Sequence, residues 1–177
     1  MILDQDKSLL LIIDIQEKLL NAVFNKNLLE KKSKILADSC SILGVPTIIT
    51  EQYPQGLGGT IPTIDNAEKK FVKTTFNALN DEELLQVLKD FGKTQIVVMG
   101  IEAHICVYQT VSSLLDKGFN VTVALDACGS RDESEYSFAL DYMSKLGAEI
   151  KTTEMILFEW LKGAKHPNFK EIQALIK

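Results

Sequence analysis

The sequence predicts an α/β protein of three layers, in which a parallel sheet lies between two layers of helices. Short runs of Ile, Leu and Val recur along the chain without the polar alternation of a half-exposed sheet, as expected for parallel strands buried on both faces. Stretches with helical periodicity separate these runs, so crossover helices connect successive strands. Together the two observations favour a doubly covered parallel sheet.

Each element can be placed along the chain from its own local pattern. The predicted strands cover residues 8–14, 45–50, 70–72, 95–100, 120–126 and 149–153. The predicted helices cover residues 28–43, 81–91, 103–116 and 133–146, followed by two helical pieces between 154 and 177 that break around Gly163 and Pro167. Glycines at 44, 92, 118 and 147 follow the four longer helices and are typical of helix C-termini. Asp132 and Glu135 form the pattern of a capping box.

Length and composition narrow the class of protein. The 177 residues predict one domain over 1–177, and the net charge of −5, without a basic run, excludes nucleic acid as an expected partner. The longest apolar run, Leu9–Ile13, is too short to span a membrane, and no basic leader precedes it. Three cysteines do not predict a disulfide framework, which favours a reducing cytoplasm.

Polar residues at the ends of the predicted strands are the first candidates for chemistry. In open parallel sheets, ligands bind beyond the carboxyl ends of the strands. The residues at these ends are Asp14, Gln16, Thr50, Glu51, Gln52, Lys73, Thr74, Glu102, His104, Cys106, Asp126, Ser130 and Arg131.

Cys106 is the candidate nucleophile because of its position. The fourth strand ends at Gly100 and the next helix is predicted from Ala103, which places Cys106 in or near the first helical turn. Backbone N–H groups and the helix dipole there favour a thiolate, so we expect a pKa below the usual ~8.5. The same N–H groups could hold a developing oxyanion. The alternative is a small apolar side chain packed beneath the sheet edge.

Asp14 and Lys73 also have two interpretations each. Asp14 ends a run of five apolar residues, so its carboxylate could be a partly desolvated base, or it could cap the following helix. Lys73 could act at the same edge of the sheet, or it could be an ordinary solvated charge.

Other kinds of site are not supported by the sequence. His104 and His166 are the only histidines, without metal-ligand spacing, so no metal and no cofactor is expected. A serine nucleophile elbow is absent. Cys40 lies in a helical pattern and is predicted as core, and Cys128 could border the pocket.

Four segments resemble the isochorismatase-like cysteine hydrolase family, in the family's order. Leu10–Gln16 resembles its opening strand with the Asp-x-Gln ending, and Phe71–Phe76 resembles the segment that supplies its lysine. Gly100–Thr110 is close to the nucleophile signature and is the most specific of the four. Asp126–Arg131 resembles the segment after the fifth strand, and the likeness extends from about residue 9 to about residue 158.

The resemblance implies a catalytic set and a detailed fold. It implies a six-stranded sheet, with Cys106 as nucleophile, Asp14 as base and Lys73 as electrostatic partner. It also implies a cis peptide bond between Ile101 and Glu102, which would turn the Glu102 N–H toward the Cys106 N–H to form an oxyanion hole. For substrate contacts we expect the following residues: Gln16, Glu51, Gln52, Tyr53 and Ile101.

The resemblance narrows the substrate class without naming a substrate. Nicotinamidases of the family hold a metal with histidines after the second strand, and the segment from Thr50 to Gly59 here contains none. Isochorismatases of siderophore pathways typically lack the cysteine, so Cys106 favours an amide-like carbonyl bond of a small molecule. Two alternatives remain, a binding or scaffold protein and a thiol redox sensor that uses Cys106. The family's members tend to associate, so we expect a homo-oligomer.

Overall fold

The computed structural model describes residues 1–177, and its six strands form one parallel sheet. The strand order is β3-β2-β1-β4-β5-β6. The strands are β1 (Ser8–Ile13), β2 (Thr47–Gln52), β3 (Lys69–Lys73), β4 (Gln95–Ile101), β5 (Asn120–Gly129) and β6 (Glu149–Lys151). The sheet confirms the predicted fold class, with every strand in parallel register with its neighbours.

Helices cover both faces of this sheet. They are α1 (Glu17–Leu20), α2 (Lys26–Leu43), α3 (Pro54–Leu57), α4 (Glu82–Asp90), α5 (Tyr108–Asp116), α6 (Glu133–Lys145), α7 (Thr153–Leu161) and α8 (Phe169–Ile176). A π-helical turn, Ala103–Val107, precedes α5, and short 3₁₀ turns cover Gln5–Lys7, Pro62–Ile64 and Ala78–Asn80. Helices α2, α7 and α8 pack together on one face, and α4, α5 and α6 lie on the other, as right-handed crossovers on the two sides of β1 require.

Local signals in the sequence explain where the helices end and begin. Gly44 closes α2 in the left-handed conformation with φ 69°, which glycine adopts at no steric cost. The Asp132 side chain accepts hydrogen bonds from the N–H groups of Ser134 and Glu135 at the start of α6. Both features were predicted from residue type and spacing.

The fifth strand is longer than its apolar run predicts. Its pairing with β4 changes register after Val98, so that Gly100 lies opposite Cys128 instead of a residue near 125. This irregularity lets β5 continue to Gly129 as a buried strand. The expectation that Cys128 borders a pocket is therefore wrong, because its side chain is fully buried within β5.

One continuous hydrophobic core fills the space between the sheet and the helices. Its 49 buried apolar residues come from strands β1 to β5 and from most helices, and Ile150 of β6 packs against them. All six residues of β1 are buried, as expected of the central strand in a doubly covered sheet. No helix of the structure combines the length and the apolar character needed to cross a bilayer.

The chain reverses its direction of travel across the sheet between β1 and β4. From β1 it moves outward through β2 and β3, and it then returns to place β4 on the other side of β1. The crossovers diverge at this switch point and leave a crevice at the carboxyl ends of the strands. The Asp14 and Cys106 positions flank this crevice, because they follow β1 and β4.

Close contact between β1 and β4 predicts a strict requirement for glycine at position 100. A Cβ atom on Gly100 would overlap the Ile13 carbonyl oxygen and lie 2.7 Å from the Ile13 Cβ. We expect Gly100→Ala to lower the free energy of unfolding by about 1–3 kcal/mol, measured by urea denaturation. Gly163→Ala is the control, because nothing lies within 4 Å of the added atom. Equal stability of the two variants would contradict the predicted clash.

Candidate active site

Asp14 lies at the carboxyl end of β1 and is held from both sides. Its Oδ1 accepts a hydrogen bond of 2.7 Å from the Thr50 hydroxyl, and its Oδ2 lies 2.6 Å from Lys73 Nζ. The residue is fully buried and adopts the left-handed conformation with φ 53°. The side chain makes no cap to the following helix, so the capping alternative is wrong.

Lys73 ends β3 and directs its ammonium group into the protein. Besides Asp14, the ammonium donates to Gln52 Oε1 at 2.7 Å and to the carbonyl oxygens of Thr75 and Phe76 at 3.1 and 3.3 Å. Only 5% of the residue is exposed. The alternative of a solvated surface charge is therefore wrong, and the hydrogen bonds fix the ammonium group in one place.

Cys106 lies in the π-helical turn Ala103–Val107 that follows β4, near the first turn of the α-helix as predicted. Helix α5 begins two residues later, at Tyr108. The cysteine is 6% exposed. Its carbonyl oxygen accepts from the Thr110 hydroxyl at 2.7 Å, and this hydroxyl accepts from the Ala78 N–H at 3.0 Å. Thr110 thus ties the cysteine turn to the loop that holds Lys73.

The environment of the Cys106 thiol raises its pKa to about 12, mainly through burial and then through the nearby negative charge of Asp14. The Lys73 ammonium acts in the opposite direction but does not compensate. The expectation of a lowered pKa is therefore wrong, because burial beside a carboxylate outweighs the helix terminus. The raised pKa favours the protonated thiol at neutral pH, beside the charges of both Asp14 and Lys73.

The turn between β4 and Cys106 has a free backbone donor. The peptide bond between Ile101 and Glu102 is cis, and the Glu102 N–H makes no hydrogen bond within the protein. The Glu102 carboxylate already has partners, because its Oε1 accepts from the Arg131 backbone N–H at 3.1 Å and from Arg131 Nε at 2.8 Å. This ion pair fastens the turn to the segment that follows β5.

Two of the residues predicted to contact substrate have side chains that brace the loop after β2. The Gln16 amide donates to the carbonyl oxygens of Gln52 and Gly58 at 3.0 and 2.6 Å, and it accepts from the Gln52 N–H at 2.7 Å. The Glu51 carboxylate accepts from the Thr60 N–H and hydroxyl at 2.7 and 2.6 Å. Both side chains are buried.

The remaining predicted contacts differ in exposure. Tyr53 is 54% exposed, follows β2 directly and has a left-handed backbone with φ 37°. Gln52 lies between the loop and the site, since its side chain bonds both Lys73 and the Thr74 carbonyl oxygen. Ile101 is fully buried. The short helix α3 follows Tyr53 directly.

The structure adds two residues that the sequence reasoning did not assign to the site. Thr50 was noted only as a polar residue at a strand end, yet it orients Asp14. Thr110 follows Cys106 by four residues, and this spacing is a signal, because a helical threonine can bond the carbonyl oxygen four residues earlier. No group of three or more His, Cys, Asp or Glu side chains is arranged to hold a metal ion.

Comparison with known proteins identifies the family. The model of the isochorismatase domain matches residues 8–155. The chain belongs to the isochorismatase family. Isochorismatase domain-containing protein 2 of Danio rerio is 40% identical over 172 residues, which cover 96% of this chain and 86% of that protein. The family assignment confirms the resemblance drawn from the four sequence segments.

Solved structures share the whole fold of this family member. The MAR1 ribonuclease from Caenorhabditis elegans superposes with a TM-score of 0.92 at 37% identity and covers 99% of this chain and 92% of its own. YcaC from Pseudomonas aeruginosa, solved with hexane-2,5-diol and covalent acrylamide, gives a TM-score of 0.91 at 25% identity, with 98% and 91% covered. The family supports a hydrolase activity in general terms.

The raised pKa of Cys106 predicts a distinctive pH dependence of its alkylation. Because only the thiolate reacts, the iodoacetamide rate should be slow at pH 7 and rise about tenfold per pH unit up to pH 10. Asp14→Asn removes a charge that raises the pKa of Cys106, so the rising limb should move to lower pH. Mass spectrometry of the Cys106 peptide measures both rates.

Glu51→Gln is the matched control for this experiment. It neutralises another buried carboxylate at the sheet edge, but one whose partners are Thr60 and Lys70 and not the thiol. Its Cys106 profile should therefore match the wild type. A wild-type rate that is already at its plateau at pH 7 would show that the thiol is not protonated as described.

Proposed function

We propose that this isochorismatase-family protein is a cysteine hydrolase that cleaves an amide-like C–N bond, or a related carbonyl bond, of a small molecule. The observation that carries the proposal is the convergence of Asp14, Lys73 and Cys106 in one buried site. Three different strand ends supply them, and the ion pair between Asp14 and Lys73 is 2.6 Å long. We further propose that residues 1–177 act as one catalytic domain, since these strand ends share one sheet and one core.

In the first half-reaction, Asp14 acts as a general base. The Cys106 sulfur attacks the carbonyl carbon of the substrate while the thiol proton moves to the Asp14 carboxylate. Proton removal during attack suits a thiol with a raised pKa, because no free thiolate has to exist beforehand. Lys73 balances the negative charge that the carboxylate and sulfur share.

The oxyanion of the tetrahedral intermediate would be held by backbone donors. The Glu102 N–H has no partner within the protein, and the Cys106 N–H lies in the same turn. Collapse of the intermediate breaks the C–N bond, and the leaving amine takes the proton from Asp14. A thioester on Cys106 remains.

In the second half-reaction, water replaces the amine. The water oxygen attacks the thioester carbon while Asp14 accepts a proton from the water. Asp14 then returns this proton to the Cys106 sulfur when the acid is released. Asp14 returns every proton that it accepts, so the proposed steps use only the protein, the substrate and water.

The surroundings of the site favour a small substrate. Cys106 is 6% exposed, and the predicted contacts Gln16 and Glu51 are engaged with the loop after β2. Gln16 and Glu51 would thus shape this loop, whereas Tyr53 is exposed enough to meet a substrate directly.

The alternative functions have less support. A scaffold protein would not need the buried ion pair of Asp14 and Lys73 beside a buried cysteine, because removing two charges from water costs free energy. A redox sensor that closes an internal disulfide needs a second accessible thiol, and both Cys40 and Cys128 are fully buried. Ribonuclease activity, suggested by the name of the C. elegans neighbour, would require a surface attractive to phosphates, and the net charge here is −5.

The proposal predicts that turnover depends on Cys106 and Asp14 in different ways. In a screen of small amides, Cys106→Ala should lower kcat/KM at least roughly 10³-fold, because the nucleophile is lost. Asp14→Asn should lower kcat by about 10²–10⁴-fold, the usual contribution of a general base. Intact-mass spectrometry of the quenched wild type should show an acyl adduct that Cys106→Ala lacks.

Cys128→Ala is the control, because it removes a cysteine that is buried at the same end of the sheet but lies outside the proposed machinery. It should retain wild-type turnover. Amide hydrolysis that survives in Cys106→Ala would exclude the covalent route. Cleavage of a single-stranded oligoribonucleotide that is lost in Cys106→Ala would favour the ribonuclease alternative instead.

A further inference from the structure

A cavity of about 280 Å³ opens between the turn that carries Cys106 and helix α6. Its size lies near the lower end of ordinary ligand pockets, about 300–1,000 Å³, so it suits a small compound. None of the three proposed catalytic side chains lines it, so it is a second candidate site. We call it the α6 pocket, and its lining consists of His104, Tyr108, Glu135, Phe138, Ala139 and Tyr142.

Three aromatic rings form most of the apolar lining of the α6 pocket. Phe138 and Tyr142 lie four residues apart on α6, and their rings are stacked with centroids 6.1 Å apart. Tyr108, the first residue of α5, meets Tyr142 at a steep angle with a centroid distance of 5.6 Å. Because Phe138 is 67% exposed and Tyr142 is 40% exposed, much of this ring surface is free to contact a ligand.

Ala139 leaves room for a ligand beside the rings. It is the only buried residue of the lining, and its side chain is a single methyl group. A longer side chain at this position would fill part of the cavity. The pocket therefore combines a small buried residue with an ordered aromatic surface, which loses little side-chain entropy when a ligand binds.

The lining contains one acidic side chain, and its carboxylate has no partner. Glu135 is exposed and lies one turn before Phe138 on α6. The Glu135 backbone N–H bonds the Asp132 side chain, but the Glu135 carboxylate forms no ion pair and no hydrogen bond within the chain. A negative charge is therefore available at the edge of the aromatic surface.

The hydrogen bond of His104 assigns a neutral imidazole to the lining. Its Nδ1 lies 2.9 Å from the hydroxyl oxygen of Ser130, which is fully buried. This hydroxyl has no other hydrogen-bond partner, so it donates to Nδ1, and the imidazole proton then lies on Nε2. The α6 pocket thus contains a free carboxylate and electron-rich ring faces, without a positive charge to oppose them.

We propose that the α6 pocket binds a small quaternary ammonium compound. The faces of aromatic rings carry partial negative charge and attract cations, and Glu135 balances the positive charge of the ligand. A quaternary ammonium group has no N–H donors, whereas a primary ammonium group has more donors than a single carboxylate satisfies. The net charge of −5 also favours a cation over an anion. Binding here needs no step of the reaction proposed above.

Choline and its neutral analogue 3,3-dimethylbutan-1-ol test the role of charge, because a carbon atom replaces the nitrogen in the analogue. In ligand-detected NMR titrations of the full chain, choline should bind at least about tenfold more tightly, since only the cation is attracted to the rings and to Glu135. Cys106→Ala should bind choline like the wild type, so the result is independent of turnover. Phosphatidylcholine vesicles should not cosediment with the protein.

Substitutions in the lining test the location of the site. Tyr142→Leu and Phe138→Leu keep an apolar side chain but remove a ring, and Glu135→Gln removes the charge. Each should weaken choline binding at least about fivefold. Phe158→Leu and Glu154→Gln are the matched controls, because they change an exposed phenylalanine and an exposed glutamate of α7, on the other face of the sheet. Circular dichroism checks the fold of each variant.

Three results would overturn the proposal. The first is choline that binds no more tightly than its neutral analogue. The second is a set of ring variants that bind choline like the wild type, or controls that weaken binding equally, because the attraction would then follow the net charge and not the pocket. The third is binding to the vesicles without binding to free choline, which would assign the aromatic surface to a membrane instead.

Discussion

The buried ion pair between Asp14 and Lys73 is the interaction on which the rest of the site depends. Charges removed from water are costly unless they are paired and fully hydrogen-bonded, and here both conditions hold. Thr50 satisfies the second carboxylate oxygen, and Gln52 with two backbone carbonyl groups surrounds the ammonium. The pair thus holds a negative and a positive charge beside Cys106, and the negative charge adds to the burial that raises the pKa of the thiol.

The topology of the sheet explains how such a pair can be rigid. Asp14 follows β1, Thr50 lies within β2 and Lys73 ends β3, and these strands are adjacent, so hydrogen bonds of the sheet hold the three side chains in register. Cys106 reaches them from the other side of the switch point, and Thr110 connects its turn to the loop that wraps the ammonium. The site is therefore built at the place where a parallel sheet of this order leaves a crevice.

Local sequence patterns predicted the strands and helix ends better than they predicted the pKa of Cys106. Apolar runs identified the four inner strands, weaker patterns indicated the two edge strands, and glycines and Asp132 identified helix ends, because these signals depend on a few neighbouring residues. The pKa of Cys106 was predicted in the wrong direction, since the argument considered the helix that follows and not the burial or Asp14. Gln16 and Glu51 were correctly placed at strand ends, but only the structure shows their side chains bonded to the loop after β2.

By itself, the sequence determined the fold class, the order of the elements and the chemical groups available at the strand ends, because periodicity and residue type are properties of neighbouring positions. Tertiary structure decided which of those groups meet. Asp14 bonds residues that lie 36 and 59 positions away, and contacts over such separations arise only when the sheet assembles. Burial, hydrogen-bond partners and pKa all follow from those contacts, so the reactivity of Cys106 is a property of the assembled sheet.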